Sequence, residues 1–271
     1  MANPNYARSQ TIGQATAAEI DAGLRAHMTK VYALMGGAMM ISAVVAYVFG
    51  MDLNAYVDAA RAAGSFEAAS VQNATALVPV PMVEAIFFSP LKWVIMLAPL
   101  AVVFGFGMMI HRMSASTANM VFWGFAALMG LSIASIFAVY TGISIAQTFL
   151  ATAAGFGAMS LYGYTTQKDL SGWGRFLFMG VVGLIVASLL NIFFFESGAL
   201  QWAISLLGVL IFAGLTAYDT QRIKNTYLEM RMSPQGQEWL DHAAISGALS
   251  LYINFLNMFM FLLQFMGAQQ E

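Results

Sequence analysis

The chain has 271 residues, 60% of them hydrophobic and 9% charged, with a net charge of −2 and a mean hydropathy of +0.73. Soluble domains carry roughly a quarter charged residues, so this is the composition of an integral membrane protein. The slight negative charge offers no basic face for nucleic acid, and the lack of cysteine excludes disulfides, zinc-thiolate sites, iron–sulfur clusters and thiol chemistry.

Residues 1–28 read as a polar cytoplasmic tail, with residues 17–28 able to form an amphipathic helix. No apolar stretch followed by a cleavage site occurs there, so the first hydrophobic helix must direct insertion. A bilayer core about 30 Å thick is crossed by about 20 helical residues. Seven segments of that length follow, at residues 31–51, 91–110, 118–139, 145–164, 176–195, 200–218 and 243–266. The expected fold class is therefore an all-α membrane protein, a seven-helix bundle over residues 29–271. Polar residues lower the hydropathy of the seventh segment, which leaves open whether it crosses or re-enters. Residues 52–90 form the longest connection, Ala-rich and then interrupted by Pro79, Pro81 and Pro90, and are expected to pack as an external loop over the mouth. Its Asn73-Ala74-Thr75 is a glycosylation sequon, relevant only in a eukaryotic secretory pathway.

Nine basic residues (Arg8, Arg25, Lys30, Arg112, Lys168, Arg175, Arg222, Lys224 and Arg231) fall on the tail and the even-numbered connections, against Arg61 and Lys92 on the other side. That bias predicts a cytoplasmic N-terminus. Small residues four apart let helix backbones approach closely. Ala151 with Gly155, Ala154 with Ala158, and Gly130 with Ala134 and Ala138 thus predict that the third and fourth spans are close-packed. The 20 methionines and 21 phenylalanines recur at helical spacing throughout and read as packing or lipid-facing residues.

Signatures of catalysis are missing: there is no HExxH, Gly-x-Ser-x-Gly elbow, Walker loop or GxGxxG after a strand. His27, His111 and His242 are isolated from one another in sequence, and the predicted spans contain no acid except Asp219 at a boundary. An enzyme and a resident cofactor are not expected. Asp219 is the first candidate functional residue; the bland reading makes it an interfacial acid paired with Arg222 one turn on. A helix dipole disfavours an anion at a C-terminus, so another partner is expected. Ser246, Ser250, Asn254, Asn257 and Gln264 fall on one helical face of the last span. Amides and hydroxyls buried in hydrocarbon lose hydrogen bonds with water, so this line should face other helices or a wet cavity. Arg112 and His111 read first as positive-inside residues, and Glu84 and Glu196 as solvated loop acids.

The run Ala217-Tyr218-Asp219-Thr220-Gln221-Arg222-Ile223-Lys224, followed by residues 247–259 with Leu251-Tyr252-Ile253-Asn254-Phe255, resembles the closing two helices of the Bax inhibitor-1 family. The resemblance is nearest its bacterial, YccA-like branch, and Tyr162-Gly163-Tyr164-Thr165-Thr166-Gln167-Lys168-Asp169-Leu170 shares it. It implies seven helices with the last in the centre and, in bacterial members, a pH-sensitive calcium leak. There, two aspartates on the last two helices share a proton and hold the pore shut, and an arginine at the end of the second helix assists opening. By motif Asp219 matches the first aspartate, Asn254 stands where the second is expected, and Arg112 matches the arginine.

Two carboxylates at hydrogen-bond distance cannot both ionise freely, which makes a proton switch. An Asp–Asn pair lacks that repulsion, so any leak here should depend less on pH. The expected function is a calcium-permeable leak or ion-homeostasis protein of the bacterial inner membrane. Asp219, Asn254 and Arg112 would stand at its gate, Ser246, Ser250 and Asn257 would line it, and Asp219 would meet calcium only in transit. The alternative is a regulatory protein that binds a membrane-bound protease or another integral partner through its tail, without transport.

Overall fold

The computed structural model describes the backbone of residues 4–64, 77–230 and 236–269, and the side chains of 19–62, 77–110, 112–230 and 238–269. The sequon at Asn73 and the His111 side chain lie outside the described residues. Helix α1 spans Pro4–Ala63 without a break. It carries the end of the polar lead-in and the Ala-rich start of residues 52–90 along with the first span. No proline or glycine interrupts Asp52 to Ala63, and alanine is the best helix former; Gly64 then ends the helix at φ 70°, a left-handed conformation that glycine adopts without a Cβ clash.

A short helix, α2 (Val80–Phe87), follows Pro79. Next come α3 (Leu91–Met109), a 3₁₀ turn at Ile110–Arg112, α4 (Ala115–Ile133) and the one-turn α5 (Ile136–Val139). Helix α6 (Gly142–Thr165) leads to α7 (Ser171–Leu190), which runs on as a π turn at Asn191–Phe195. The closing pair is α8 (Gly198–Met230) and α9 (Gly236–Met266). Local chemistry sets several boundaries. Ser114 and Thr141 each accept the N–H of the third residue on, at 3.3 Å, as N-cap hydroxyls do.

Among the described residues, seven helices are long and apolar enough to cross a membrane, and the protein is an all-α membrane bundle. The last span is central: 61% of its most apolar window is buried, against 11–33% in the other six. Helix α9 is one continuous helix rather than a broken hairpin. Tyr252 shows why it sits inside. Its ring packs edge-on against Phe122 and Phe125 of α4, at 6.0 and 5.8 Å between centroids. Its hydroxyl lies 2.6 Å from Ser42 of α1, and because the Ser42 proton goes to a carbonyl, Ala126 at 2.7 Å or Ala38 at 2.9 Å, Tyr252 is the donor between them.

The small-residue reading holds on α4 and fails on α6. A side chain at Gly130 would run into the backbone of Ser42, so α1 and α4 touch there. Ala151, Ala154, Gly155 and Ala158, by contrast, are exposed, and nothing lies within 4 Å of the space beside Gly155. The inward face of α6 is Thr148, Thr152, Phe156, Ser160 and Gly163. Small residues permit close approach but do not compel it. The hydroxyl face has more to gain from burial because partners exist inside, Ser160 meeting Thr220 of α8 at 3.1 Å and Tyr32 of α1 at 2.5 Å. At Gly163, α6 meets the backbone of Ala217 in α8, two residues before Asp219.

Candidate functional site: a buried acid–amide contact

Helix α8 does not end at Tyr218. It continues to Met230, so Asp219 lies well inside a helix and the dipole argument does not govern it. The polar-looking extension is amphipathic. Phe212, Thr216, Thr220, Ile223 and Tyr227 are buried at three- and four-residue spacing, and this stripe carries the helix past the apolar run. Two side chains fix this part of α8. Gln221 accepts the Leu170 N–H and donates to the Lys168 carbonyl, both at 2.8 Å. Lys224 donates to the Tyr164 carbonyl at 2.9 Å.

Asp219 is 9% exposed and Asn254 5%. The Asn254 amide donates to Asp219 Oδ2 at 2.7 Å, at the short end of the range for N–H···O bonds. The flanking hydroxyls do not compete for the carboxylate, because Thr216 bonds the Phe212 carbonyl and Thr220 the Thr216 carbonyl, each at 2.8 Å. Thr220 also meets Ser160 at 3.1 Å, and Ser160 meets Tyr32 at 2.5 Å. A hydroxyl chain therefore links α1, α6 and α8 behind the acid.

Two cavities meet at this contact. One, of about 180 Å³ between α8 and α9, is lined by polar groups that include Asp219, Arg222, His242, Ser246 and Ser250. The other, of about 680 Å³ between α7, α8 and α9, has Asn254 on its wall and shares Asp219, Arg222 and Ser250 with the first. The ion pairs among the described residues are Lys30–Asp241 and Arg61–Asp58. Arg222 thus lines both spaces beside Asp219 without pairing to it within 4 Å, and the acid's partner is the amide.

The other expected residues fare differently. Ser246 and Ser250 face the cavities, whereas Asn257 turns back to the Ile253 carbonyl of its own helix at 2.9 Å. Gln264 belongs to a separate outer cluster, accepting from Gln201 at 2.9 Å and from Ser205 at 3.4 Å. Arg112 is exposed at the end of its 3₁₀ turn and lines neither cavity; the arginine beside Asp219 is Arg222. The residue that ties the Arg112 turn to α9 is His242, whose Nε2 lies 2.8 Å from the Met113 carbonyl. His242 was missed as a lining residue. It lies one turn before Ser246, so carrying the spacing of the polar line back by four residues finds it.

Residues 24–271 match the family model described as Inhibitor of apoptosis-promoting Bax1. An uncharacterized protein of Caulobacter vibrioides is 42% identical over 276 residues, covering 99% of this chain and 98% of its own. The inner membrane protein YbhL of Escherichia coli is 39% identical over 246 residues, covering 91% and 93%. A protein of Rickettsia prowazekii, also described as uncharacterized, is 37% identical over 251 residues, covering 93% of each chain.

Proposed function

The chain belongs to the Bax inhibitor-1 family, and from that premise we propose that it is a calcium-permeable leak of the bacterial inner membrane, held shut where Asn254 meets Asp219. The observation that carries the reading is the 2.7 Å acid–amide contact, buried between two cavities that share Asp219. A carboxylate inside hydrocarbon is costly and is retained where ions or protons pass. Towards the far side, α9 is sealed by rings. Phe255 packs on Phe149 and Phe156 of α6, at 5.4 and 5.5 Å, and Phe261 on Phe212 of α8 at 5.9 Å. Passage would therefore require α9 to separate from its neighbours, and this packing supports reading the arrangement as a closed state.

A calcium ion takes six or more oxygens. Among the described residues no three His, Cys, Asp or Glu side chains cluster as a metal site. Asp219 would be met in transit, with Ser246, Ser250, the Asn254 carbonyl oxygen and water completing the shell. The location follows the printed name of the Escherichia coli relative, an inner membrane protein. The pH response is proposed to be shallow, because an amide cannot share a proton with the carboxylate as a second acid would. Calcium influx into liposomes holding the purified chain, measured from pH 6 to 8, tests the reading. We expect a leak above protein-free liposomes with a weak slope; no leak at any pH would sink it, and a steep profile would sink the role given to Asn254.

A further inference from the structure

The larger cavity has a polarity gradient that ion passage does not explain. Arg175, in the first turns of α7, and Arg222 stand at one end, with exposed Trp173 marking the interface beside them, as aromatic belts do. From there, apart from the flank formed by Ser250, Asn254 and Asp219, the walls are apolar: Phe178 and Met179 on α7, Leu215 on α8 and Ile253 on α9. Neither arginine is in an ion pair among the described residues. The one acid on the wall, Asp219, already accepts from Asn254, and against two guanidinium groups it leaves one positive charge uncompensated. Water filling this space would wet hydrocarbon surface for most of its depth. A molecule with an anionic head and an apolar chain satisfies both ends at once, and anionic lipids of the cytoplasmic leaflet are that chemistry.

We propose that this cavity is a binding site for an anionic phospholipid of the cytoplasmic leaflet. The phosphate sits on Arg175 and Arg222, and an acyl chain lies along Phe178, Met179, Leu215 and Ile253 beside the Asp219–Asn254 contact. The bound chain excludes water from one flank of the acid, so the lipid is a structural partner of the closed bundle. Nothing in this assignment depends on whether the protein conducts calcium.

Native mass spectrometry of the purified full-length chain, given equal phosphatidylglycerol and phosphatidylcholine, reads the site without measuring flux. The expected result is retention of phosphatidylglycerol about fivefold over phosphatidylcholine, the gain of one net charge near a membrane surface. Arg175→Gln should bring the ratio close to one and Arg175→Lys should keep most of it, while Leu215→Trp should lower retention by obstructing the chain. Equal retention of the two lipids by the unaltered protein overturns the proposal, and so does an unchanged ratio in Arg175→Gln. Displacement of the lipid by soluble glycerol 3-phosphate would make the ligand a free phosphate and overturn the lipid assignment. The first comparison uses no variant, so a misfolded substitution cannot obscure it.

Discussion

The Asn254 amide, not the Arg222 guanidinium, is the hydrogen-bond partner of Asp219. An amide neither gains nor loses charge across the physiological range, so the contact between α8 and α9 holds one titratable group, the Asp219 carboxyl, and no proton shared between two acids.

Replacing that amide by an acid should create the missing switch. In Asn254→Asp, two carboxylates at hydrogen-bond distance would share one proton at low pH and repel once it leaves. Calcium influx into liposomes should then rise steeply between pH 6 and 8 where the parent protein changes little. Arg222 and His242 face the same cavity and remain in both proteins, so they do not contribute to the difference. Equal slopes would show that this contact does not gate.

Removing the donor without replacing it should cost stability. Asn254→Leu leaves a buried carboxylate with no hydrogen bond, about 1–3 kcal/mol or more for a charged group. Asp219→Leu on that background should recover most of the loss, because neither partner is then stranded. A double-mutant cycle on denaturation in detergent, with a coupling of about 0.5–3 kcal/mol expected for groups in contact, measures it.

The α1–α9 seam predicts an asymmetry of the same kind. Tyr252→Phe removes one hydroxyl and leaves Ser42 bonded to the Ala126 carbonyl, so the expected cost is about 1 kcal/mol. Ser42→Ala strands the Tyr252 hydroxyl in a fully buried position and should cost more, about 1–3 kcal/mol. Thermal denaturation of the two variants side by side gives the order, and the reverse order would contradict the hydrogen-bond direction assigned here.

Cysteine scanning has no background in a chain without cysteine. Ser246→Cys and Ser250→Cys line the cavities and should react with a water-soluble thiol reagent added from the cytoplasmic side. Phe255→Cys, behind the Phe149 and Phe156 rings, should not. Labelling of Ser246→Cys only from the opposite side would invert the orientation drawn from the basic residues.

The seven crossings were legible because hydrocarbon thickness imposes a length and charge is scarce inside it. Recognising that Asp219 and Asn254 meet needed the resemblance as well, since a polar line says which face is inward and not what it touches. Helix ends were less legible. The sequence after Tyr218 turns polar, and only its four-residue recurrence, through Ile223 and Tyr227, betrays that α8 goes on. The inward face of α6 was misjudged because small residues and hydroxyl residues both suit a helix interface, and the choice lies with the neighbours. Arg112 enters the expected gate by motif position alone, and motif position carries no information about which side chains stand together.

The backbone just beyond the last span is fastened at Ala268. The Thr141 N–H donates to the Ala268 carbonyl at 3.1 Å, and the Ala268 N–H to Ser144 at 2.9 Å. With Ala268 stapled to the turn before α6, a slide of the central helix along its axis would break both bonds, whereas a tilt about that point would not. Separation of Asn254 from Asp219 would then be a lever's motion about a fixed outer pivot, widest at the His242 end, where Lys30 clasps Asp241 at 2.6 Å and would have to let go first.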